Sequence, residues 1–333
     1  MSVALVTGAT GLVGSHIVER LRRDGWTVRA LVRDRSRANW LVAQDVALFD
    51  GDTLDAESFR RAAQGVHYVF HCATAITPRG GWEAFRAPNI DGTRNAVGAA
   101  SSAGARLLHL SSVAVYGPDG RFALSKCAAL QELQPLLPIP DQAWYARSKR
   151  ESEELVMAAH REGRVWATAV RPCVIYGPRD RQFIPRAAAL LRLPLVPRIG
   201  PGTSTMSIVH ARSVAELAVR AVTSEIAAGR AYNVTNDPPI TVNEFYAAAE
   251  EGLGVRARWL PIPGAPAQAA MGALGAALRA LRVPGASMLN ARSLDFLLAD
   301  NPFSSERARV ELDWTSRVNP REAVAESFRS LPK

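Results

Sequence analysis

The chain of 333 residues is 48% hydrophobic with a mean hydropathy of −0.02, which indicates a folded globular protein and excludes a disordered one. The net charge is +9, but only three of the 40 basic residues are lysines and the arginines are dispersed, so no basic run indicates nucleic-acid binding. Three cysteines (Cys72, Cys127 and Cys173) lack metal-ligand spacing and predict a reducing compartment without a metal site. Because an apolar run begins within two residues of Met1, we expect no signal peptide and a cytoplasmic protein.

The first half alternates short β-branched runs with helical patterns, which predicts an α/β fold with a doubly wound parallel sheet. The predicted strands are Val3–Thr7, Thr27–Val32, Val46–Phe49, His67–Ala73, Arg106–Ser111 and Val165–Val170, and the helices between them include Ser15–Asp24 and Asn89–Ala103. Beyond Pro172 the pattern loosens, although Ser213–Ser224 and Val242–Leu253 are predicted helices and Ala231–Thr235 a short strand. We therefore expect a first domain over residues 1–172 and a smaller C-terminal substrate-binding lobe over 173–333, with some later segments returning to the core.

The stretch Leu260–Leu278 carries no charge and raises the question of a membrane span. Three early prolines and its many alanines make it too weakly apolar for the roughly 20 strongly apolar residues that a span needs. We expect a packed or interfacial helix ending near Arg279 and Arg282, with no stable membrane span. Weak, transient membrane association of the segment 260–283 is the alternative.

A glycine-rich turn follows the first strand directly and precedes a helical pattern, which is the context of a dinucleotide-binding turn. Gly8 permits the tight turn, Gly11 lets the backbone approach a pyrophosphate, and Gly14 allows close packing of helix on strand. The helix N-terminus offers unpaired N–H groups to the phosphates, and the alternative is a plain β–α turn. A Rossmann-type domain is predicted, with cofactor contacts from Gly8, Thr10, Gly11, Leu12, Val13 and Gly14.

The end of the second strand selects between the two nicotinamide cofactors, because an acidic residue there binds the ribose 2′-hydroxyl and an arginine accommodates a 2′-phosphate. Arg33 falls at or beside this position and favours NADP, whereas Asp34 keeps NAD as the alternative. After the third strand, Asp52 and Thr53 are expected at the cofactor, with Asp52 accepting from the adenine amine. A surface turn is the other interpretation of that aspartate.

Tyr145 and Lys149 lie four residues apart at the start of a helical segment, and therefore on one helix face. A phenol with an ordinary pKa near 10 is a poor base, but an adjacent ammonium and a positive nicotinamide ring would lower that pKa. Lys149 can also hold the nicotinamide ribose. Ser112 follows the fifth strand and can polarise a substrate carbonyl, whereas Ser111 is expected to face the cofactor. A solvated helix pair and a strand-end cap are the structural alternatives.

Motifs in order along nearly the whole chain resemble the extended short-chain dehydrogenase/reductase family. They are Thr7–Gly14, His71–Ala73, Asn89–Thr93, Ser112 ahead of Val115–Gly117, the Tyr145/Lys149 pair and Arg171–Pro178. The resemblance implies a catalytic triad of Ser112, Tyr145 and Lys149, with Asn89 bracing the site. It also implies cofactor contacts from Cys72, Ala73, Thr74, Ser111, Tyr145, Lys149, Pro172 and Val174.

The later half resembles the 3β-hydroxysteroid and sterol-carboxylate dehydrogenase branch, on the stretches Tyr176–Asp180, Tyr232–Asp237 and Phe303–Ala308. The first half shares features with dihydroflavonol-reductase-like enzymes, including the arginine after the second strand. Residues 118–144 are the least typical, and we expect them to form a lid near the substrate.

The resulting prediction is an NAD(P)-dependent oxidoreductase that transfers hydride between the nicotinamide and a secondary alcohol or ketone of a small hydrophobic, steroid-like substrate. A nucleotide-sugar epimerase or dehydratase is the alternative, although Val113 and Ala114 stand where dehydratases of this family carry an acidic pair. A non-catalytic NADP sensor is a third hypothesis. The presence of both Tyr145 and Lys149 argues against it. His67 and His71 are interpreted as strand residues packed in the core. By analogy within the family, a homodimer or monomer is expected.

Overall fold

A computed structural model of the chain describes residues 1–76, 80–118, 131–236, 238–281 and 294–332. These residues form two compact units. The first comprises Met1–Ile175, Val209–Thr235 and Phe303–Arg317, and the second comprises Tyr176–Ile208, Asn236–Pro302 and Val318–Lys333. Two later segments of the chain therefore complete the first unit, while the division into a cofactor domain and a substrate lobe stays a functional prediction.

The first unit is built on a seven-stranded sheet whose neighbouring strands all run parallel. Over both units, the strands of the described residues are β1 (Val3–Thr7), β2 (Thr27–Val32), β3 (Ala47–Asp50), β4 (Tyr68–His71), β5 (Arg106–Leu110), β6 (Ala167–Pro172), β7 (Val174–Tyr176), β8 (Val196–Ile199), β9 (Ile208–His210), β10 (Ala231–Val234) and β11 (Trp259–Ile262). The order in the large sheet is β10-β6-β5-β4-β1-β2-β3. The order reverses between β1 and β4, so the carboxyl ends of these two strands flank the point where doubly wound sheets bind ligands.

The helices are α1 (Leu12–Arg23), α2 (Asn39–Ala43), α3 (Ala56–Ala63), α4 (Gly81–Arg86), α5 (Gly92–Ala103), α6 (Trp144–Arg161), α7 (Phe183–Leu191), α8 (Ala211–Thr223), α9 (Val242–Leu253), α10 (Gly264–Ala280), α11 (Asp295–Leu298), α12 (Glu306–Leu312) and α13 (Pro320–Arg329). Helix α9 has the predicted bounds because Thr241 and Glu244 form a capping box and Gly254 ends it in the left-handed conformation. Helix α1 begins at Leu12, earlier than predicted, with Gly11 as its N-cap.

Two apolar clusters cover the two faces of the large sheet. Along β1, Leu5 lies in the cluster formed with α3, α5 and α6, whereas Ala4 and Val6 lie in the cluster formed with α1 and α8. Successive side chains of a strand point to opposite faces, so this alternation makes a three-layer arrangement. All three side chains are fully buried. The predicted doubly wound parallel sheet is confirmed.

Several predicted strands differ from the observed ones by one or two residues. The strand predicted over His67–Ala73 ends at His71, and the one predicted over Arg106–Ser111 ends at Leu110. The apolar pattern overran the strand because Cys72, which follows β4, is still only 8% exposed. The residues just past these ends therefore occupy the loops at the carboxyl edge of the sheet.

The second unit has its own apolar cluster, in which Phe245 of α9 packs against Phe328 of α13 with ring centroids 5.9 Å apart. Strands β8 and β11 form a separate parallel pair. The uncharged stretch predicted as one helix is divided, since Leu260–Ile262 belong to β11 and α10 begins at Gly264. Its prolines at 261 and 263 explain why the helix starts later; Arg282 lies outside the described residues. Within the described ranges, no helix is both long and apolar enough to cross a membrane.

Candidate active site

The glycine turn after β1 has the close backbone packing that its sequence predicts. Gly8 has φ of +65°, and a Cβ atom there would lie 2.8 Å from the backbone nitrogen of Ala73. A Cβ atom on Gly14 would collide with the Gly8 carbonyl. Any side chain at either glycine would therefore push β1, α1 and the loop after β4 apart.

The N-terminus of α1 opens from this turn and is suited to an anion. Gly11 is the N-cap and is exposed, and the first turn from Leu12 to Ser15 carries no acidic residue. Free N–H groups and the positive end of the helix dipole favour a phosphate at such an end. The turn therefore fits the pyrophosphate of a dinucleotide. Of the other residues predicted to touch it, Thr10 and Leu12 are partly exposed and Val13 is buried.

The loop after β4 is held against the end of β1 by a hydrogen bond from a backbone amide to a side chain. The amide of Ala73 donates to Thr7 Oγ1 at 3.3 Å, and Thr7 Oγ1 also bonds His71 Nδ1 at 2.9 Å. Thr74 Oγ1 donates to Asn89 Oδ1 at 3.0 Å. Cys72, Ala73 and Thr74 therefore lie beside the glycine turn, at the carboxyl ends of β1 and β4.

Hydrogen bonding and exposure after β2 distinguish Asp34 from Arg33, the two candidates for selecting the cofactor. The Asp34 carboxylate accepts hydrogen bonds from the backbone nitrogen (3.0 Å) and the hydroxyl of Ser36. These bonds lower the pKa of Asp34 and use its acceptors locally. The Arg33 side chain is 79% exposed and lies 3.8 Å from Asp52. Asp52 itself accepts from the Leu54 amide at 3.0 Å in a local turn, and Thr53 follows it in the same turn.

Ser112 and Tyr145 come together at the carboxyl edge of the sheet. Ser112 caps the short helical turn Val113–Tyr116, and its Oγ accepts from the Ala114 amide at 3.1 Å. Tyr145 lies in the first turn of α6, where burial raises the pKa of its phenol and a hydrogen bond with Ser112 partly offsets the rise. The pair can therefore hold one substrate oxygen between two hydroxyl groups.

Lys149 lies one helical turn beyond Tyr145 and is only 2% exposed. Its Nζ donates to the Leu110 carbonyl at 2.6 Å, at the end of β5. Burial lowers the pKa of Lys149 to about 8, while the charge of Glu153 acts in the opposite direction. The ammonium thus faces the edge of the sheet beside Ser112, instead of solvent.

Asn89 braces the elements that carry these residues. It lies in a π-helical turn that precedes α5 and is 2% exposed. Its Oδ1 accepts from Thr74 Oγ1 (3.0 Å) and from the Ala75 amide (2.7 Å), and its Nδ2 donates to the Ala75 carbonyl and to Ser148 Oγ, both at 2.9 Å. The side chain thus ties the loop after β4 to α6.

The remaining predicted residues lie along the same edge. Pro172 is the last residue of β6 and pairs with Val234, and Val174 is 38% exposed. Ser111 is buried and its hydroxyl lies beside the Glu153 carboxylate, where it contributes to lowering the pKa of that group. Val174 is therefore accessible to a nicotinamide, whereas Ser111 is enclosed by the protein.

A buried ion pair beside the site was not predicted from the sequence. Glu153 on α6 accepts bonds from Arg171 on β6, and the side chains of both are 7% exposed. The spacing of Glu153 four residues after Lys149 was the available signal. Within the described part of the chain, no group of three His, Cys, Asp or Glu side chains is arranged to hold a metal ion.

A glycine turn, a helix N-terminus and a Ser–Tyr–Lys constellation on a doubly wound sheet define a dinucleotide-dependent enzyme. The model of the NAD dependent epimerase/dehydratase family matches residues 4–235, and the chain belongs to this family. The prediction of an extended short-chain dehydrogenase/reductase is thereby confirmed.

Known proteins resemble the chain over most of its length. The 4-hydroxy-2-methyl-3-oxo-4-farnesyl-3,4-dihydroquinoline-1-oxide ketoreductase of Stigmatella aurantiaca is 29% identical over 321 residues, which cover 96% of this chain and 93% of that protein. The human sterol-4-alpha-carboxylate 3-dehydrogenase, decarboxylating, is 30% identical over 268 residues, covering 78% of this chain and 68% of that protein. The match to the crystal structure of gox2253 covers 98% of this chain and 97% of that chain, with 25% identity and a TM-score of 0.75.

A second solved structure shows how widely the fold is shared. The UDP-glucose 4-epimerase of Thermus thermophilus in complex with NAD has 21% identity and a TM-score of 0.71, and it covers 98% of both chains. At that identity the likeness concerns the fold alone. With the family match and the reductase and dehydrogenase relatives, the protein is an NAD(P)-dependent oxidoreductase acting on hydroxyl or keto groups, as predicted.

Proposed function

We propose that the protein transfers hydride between NADP(H) and a secondary alcohol or ketone of a hydrophobic substrate. The observation that carries this proposal is the hydrogen-bonded pair of Ser112 and Tyr145, with the buried Lys149 ammonium one helical turn away. Two hydroxyl groups that meet at one point can bind a carbonyl oxygen and supply its proton.

Each residue of the constellation has a distinct part. Tyr145 donates a proton to the substrate oxygen in reduction and accepts it in oxidation, and Ser112 polarises that oxygen. Lys149 would hold the nicotinamide ribose, and its charge favours the phenolate. When bound, the cofactor supplies or accepts the hydride and adds a positive ring in its oxidised form. Asn89 keeps the loop after β4 and helix α6 at their mutual distance.

The cofactor would lie along the groove at the carboxyl ends of β1, β2 and β4. Its pyrophosphate would face the turn from Gly8 to Gly14, and its adenosine would lie near Asp52 and Thr53. We favour NADP over NAD because Asp34 is bonded locally to Ser36, whereas the Arg33 guanidinium is largely exposed. A 2′-phosphate would give Arg33 a charge-assisted partner.

The substrate class is proposed from the relatives and from composition. The Stigmatella relative is a ketoreductase of a farnesylated quinoline, and the human relative is a sterol dehydrogenase. We infer a polycyclic or prenylated hydrophobic substrate, bound with help from the C-terminal lobe and residues 118–144; of the latter, residues 119–130 lie outside the described part. A cytoplasmic location and a homodimeric or monomeric state stay predictions.

The first experiment follows reduced-nicotinamide absorbance with purified protein and a panel of 3β-hydroxysteroids, oxosteroids and prenylated ketones. Tyr145→Phe should lower turnover by at least about 100-fold, the usual size of a general acid's contribution. Tyr68→Phe, a change of the same size on β4, is the matched control and should keep wild-type turnover. Near-normal activity in Tyr145→Phe would refute the mechanism.

Cofactor choice is tested separately by titrating NADPH and NADH against the fluorescence of the protein. Arg33→Ala should weaken NADPH binding by about 10- to 100-fold and leave NADH binding nearly unchanged, because one charge-assisted hydrogen bond is lost. Arg35→Ala is the control, since Arg35 is paired with Asp50 at 2.6 Å. Equal loss of affinity for both cofactors would remove the case for phosphate selection.

If the cofactor binds but no compound of the substrate panel is turned over, the alternative functions are favoured. Tight binding of a UDP- or GDP-sugar would then indicate a nucleotide-sugar enzyme, for which the shared fold of the Thermus epimerase is the supporting observation. Binding of cofactor alone would indicate a sensor.

A further inference from the structure

A buried carboxylate lies on the same face of α6 as the catalytic lysine. Glu153 follows Lys149 by one helical turn and is buried. An unpaired carboxylate at such a depth is strongly unfavourable, so its position demands compensating charge. Two cations supply it: Lys149 on the same helix and Arg171 on β6.

Arg171 holds this carboxylate through several bonds. Its Nε donates to both oxygens of Glu153 at 3.1 and 3.0 Å, and its Nη2 adds a third bond. Its Nη1 donates to Tyr116 Oη at 3.1 Å, and that hydroxyl donates to Asn233 Oδ1 at 3.0 Å. Because β6, β10 and the turn after Ser112 all contribute, Glu153 has little freedom to move.

The surroundings of Lys149 are otherwise neutral at pH 7. From β4 and the loop after it, His71 and Cys72 face the ammonium, and from β5 His109 does. Burial lowers the pKa of His71 to about 3 and raises that of Cys72 to about 12. For His109, burial also shifts the pKa far down. Of these groups, Glu153 therefore carries the negative charge.

Other charged groups act on Glu153 from its own side. Arg150 on α6 faces both Glu153 and Arg171, and Glu132 acts on Arg171 from the segment before α6. The Ser111 hydroxyl lies beside the carboxylate. Burial raises the pKa of Glu153, but Arg171, the Ser111 hydroxyl and Lys149 together more than offset it, and the net shift is downward. The carboxylate is thus an anion throughout the neutral range.

We propose that Glu153 is a positioning residue for the reaction, which keeps Lys149 an ammonium ion at neutral pH while Arg171 holds Glu153 in place. This proposal rests on the proposed function for its catalytic meaning. A buried ammonium loses its hydration, and a fixed anion one turn away replaces part of it. Without Glu153, the Lys149 ammonium would be deprotonated at a lower pH. Tyr145 would then lose the charge that favours its phenolate.

The scarcity of lysine makes a direct test practical. The chain contains Lys126, Lys149 and Lys333, so protein labelled with 13C at lysine Cε gives a three-signal spectrum in which Lys149→Met identifies the relevant resonance. In the wild-type protein this resonance should titrate near pH 8. In Glu153→Gln the midpoint should fall by at least about one pH unit. No substrate is needed, so this result is independent of the proposed function.

A matched control separates a local from a general charge effect. Glu151→Gln removes the same charge from the same helix, at a residue that is 38% exposed and pairs with Arg147 at 2.6 Å. Solvent screening makes such a pair weak, so the midpoint of Lys149 should stay unchanged. Equal midpoints in the wild type and a folded Glu153→Gln would overturn the proposal.

Activity supplies the second readout. In ketone reduction by Glu153→Gln, the basic limb of the pH–rate profile should move to lower pH together with the midpoint of Lys149, whereas a purely structural defect would lower the rate at every pH. A loss of rate with an unmoved midpoint would likewise overturn the proposal. A moved midpoint in a protein inactive on every ketone would support the role of Glu153 on Lys149 and count against the proposed substrate class.

Because Glu153→Gln leaves Arg171 buried and unpaired, this variant is expected to lose stability. The double variant Glu153→Gln/Arg171→Met removes both charges and restores neutrality. Its Lys149 midpoint should still lie below the wild-type value, since the Glu153 charge that acts on Lys149 has been removed. A wild-type midpoint in the folded double variant would overturn the proposal even where the single variant does not fold.

Discussion

At the scale of single residues, the site depends on side chains whose polar atoms are fully used. Asn89 is the clearest case, because its amide bonds the Thr74 hydroxyl, both backbone groups of Ala75 and the Ser148 hydroxyl. Ser148 in turn donates to the Tyr145 carbonyl at 2.9 Å. A buried amide with these partners fixes the distance between the loop after β4 and the start of α6.

Asn89→Ala should lower the free energy of unfolding by about 1–3 kcal/mol, because it leaves buried partners without hydrogen bonds. Turnover should fall more than cofactor affinity, since the displaced element is the start of α6. Urea unfolding and steady-state kinetics measure the two effects. Asn95→Ala is the control, because the side chain of Asn95 is partly exposed and donates to the Thr53 carbonyl at 2.8 Å. A loss as large as that of Asn89→Ala would contradict the bracing role.

At the scale of elements, β4 and β5 place two histidines side by side beneath the active site. His71 and His109 are in register, and their rings stack with centroids 6.0 Å apart. His71 bonds Thr7 and Thr93 on neighbouring elements, and His109 bonds Ser152 on α6 at 3.3 Å. Both rings are about 1% exposed, so burial keeps them neutral. The sequence interpretation of His67 and His71 as core strand residues agrees with this burial for His71. It was wrong for His67, which is exposed and precedes the first residue of β4.

Acid should therefore destabilise the protein through these strands. The pKa of His71 is about 3 in the folded state, below the usual value near 6.5 of the unfolded chain. Since the unfolded state binds more protons between these values, the stabilisation is complete above about pH 6.5 and is lost as pH falls toward 3. Between pH 7 and 5 the loss should be about 2 kcal/mol for His71.

Urea unfolding at pH 7 and pH 5 measures this loss. His71→Asn should weaken the pH dependence, whereas a replacement of exposed His67 by Gln should leave it as in the wild type. Equal pH dependence in wild type and His71→Asn would show that other groups determine acid sensitivity.

At the scale of the whole molecule, the described residues divide into two units that each have an apolar core. Every residue predicted to bind the cofactor or to act in catalysis lies in the first unit. Stability and cofactor binding can therefore be perturbed from different parts of the chain.

Phe328→Ala, in the core of the second unit, tests this separation. Phe328 is 1% exposed and packs on Phe245, so the cavity should lower the stability of that unit by about 3–5 kcal/mol. Cofactor affinity at a temperature where the protein is folded should stay within about twofold of wild type. A large loss of cofactor affinity, measured by titration, would show that the second unit contributes to the cofactor site.

The sequence by itself determined the alternation of strands and helices, because apolar periodicity and glycine at the turn of Gly8 reflect local backbone requirements. It also determined the pairing of Tyr145 with Lys149, which helix geometry brings to one face. Its strand ends were wrong by one or two residues, as at Cys72, because apolar residues stay buried beyond the last ladder bond.

Only the tertiary structure decided which distant groups meet. Asn89 donates a hydrogen bond to Ser148, 59 residues away in the sequence, and Arg171 donates to Glu153 because β6 and α6 are adjacent. The bond of Asp34 to Ser36, on which the proposed phosphate contact of Arg33 rests, is likewise visible only in the structure. These interactions depend on the order of strands in the sheet and on burial, and burial sets the cost of an unpaired charge or amide.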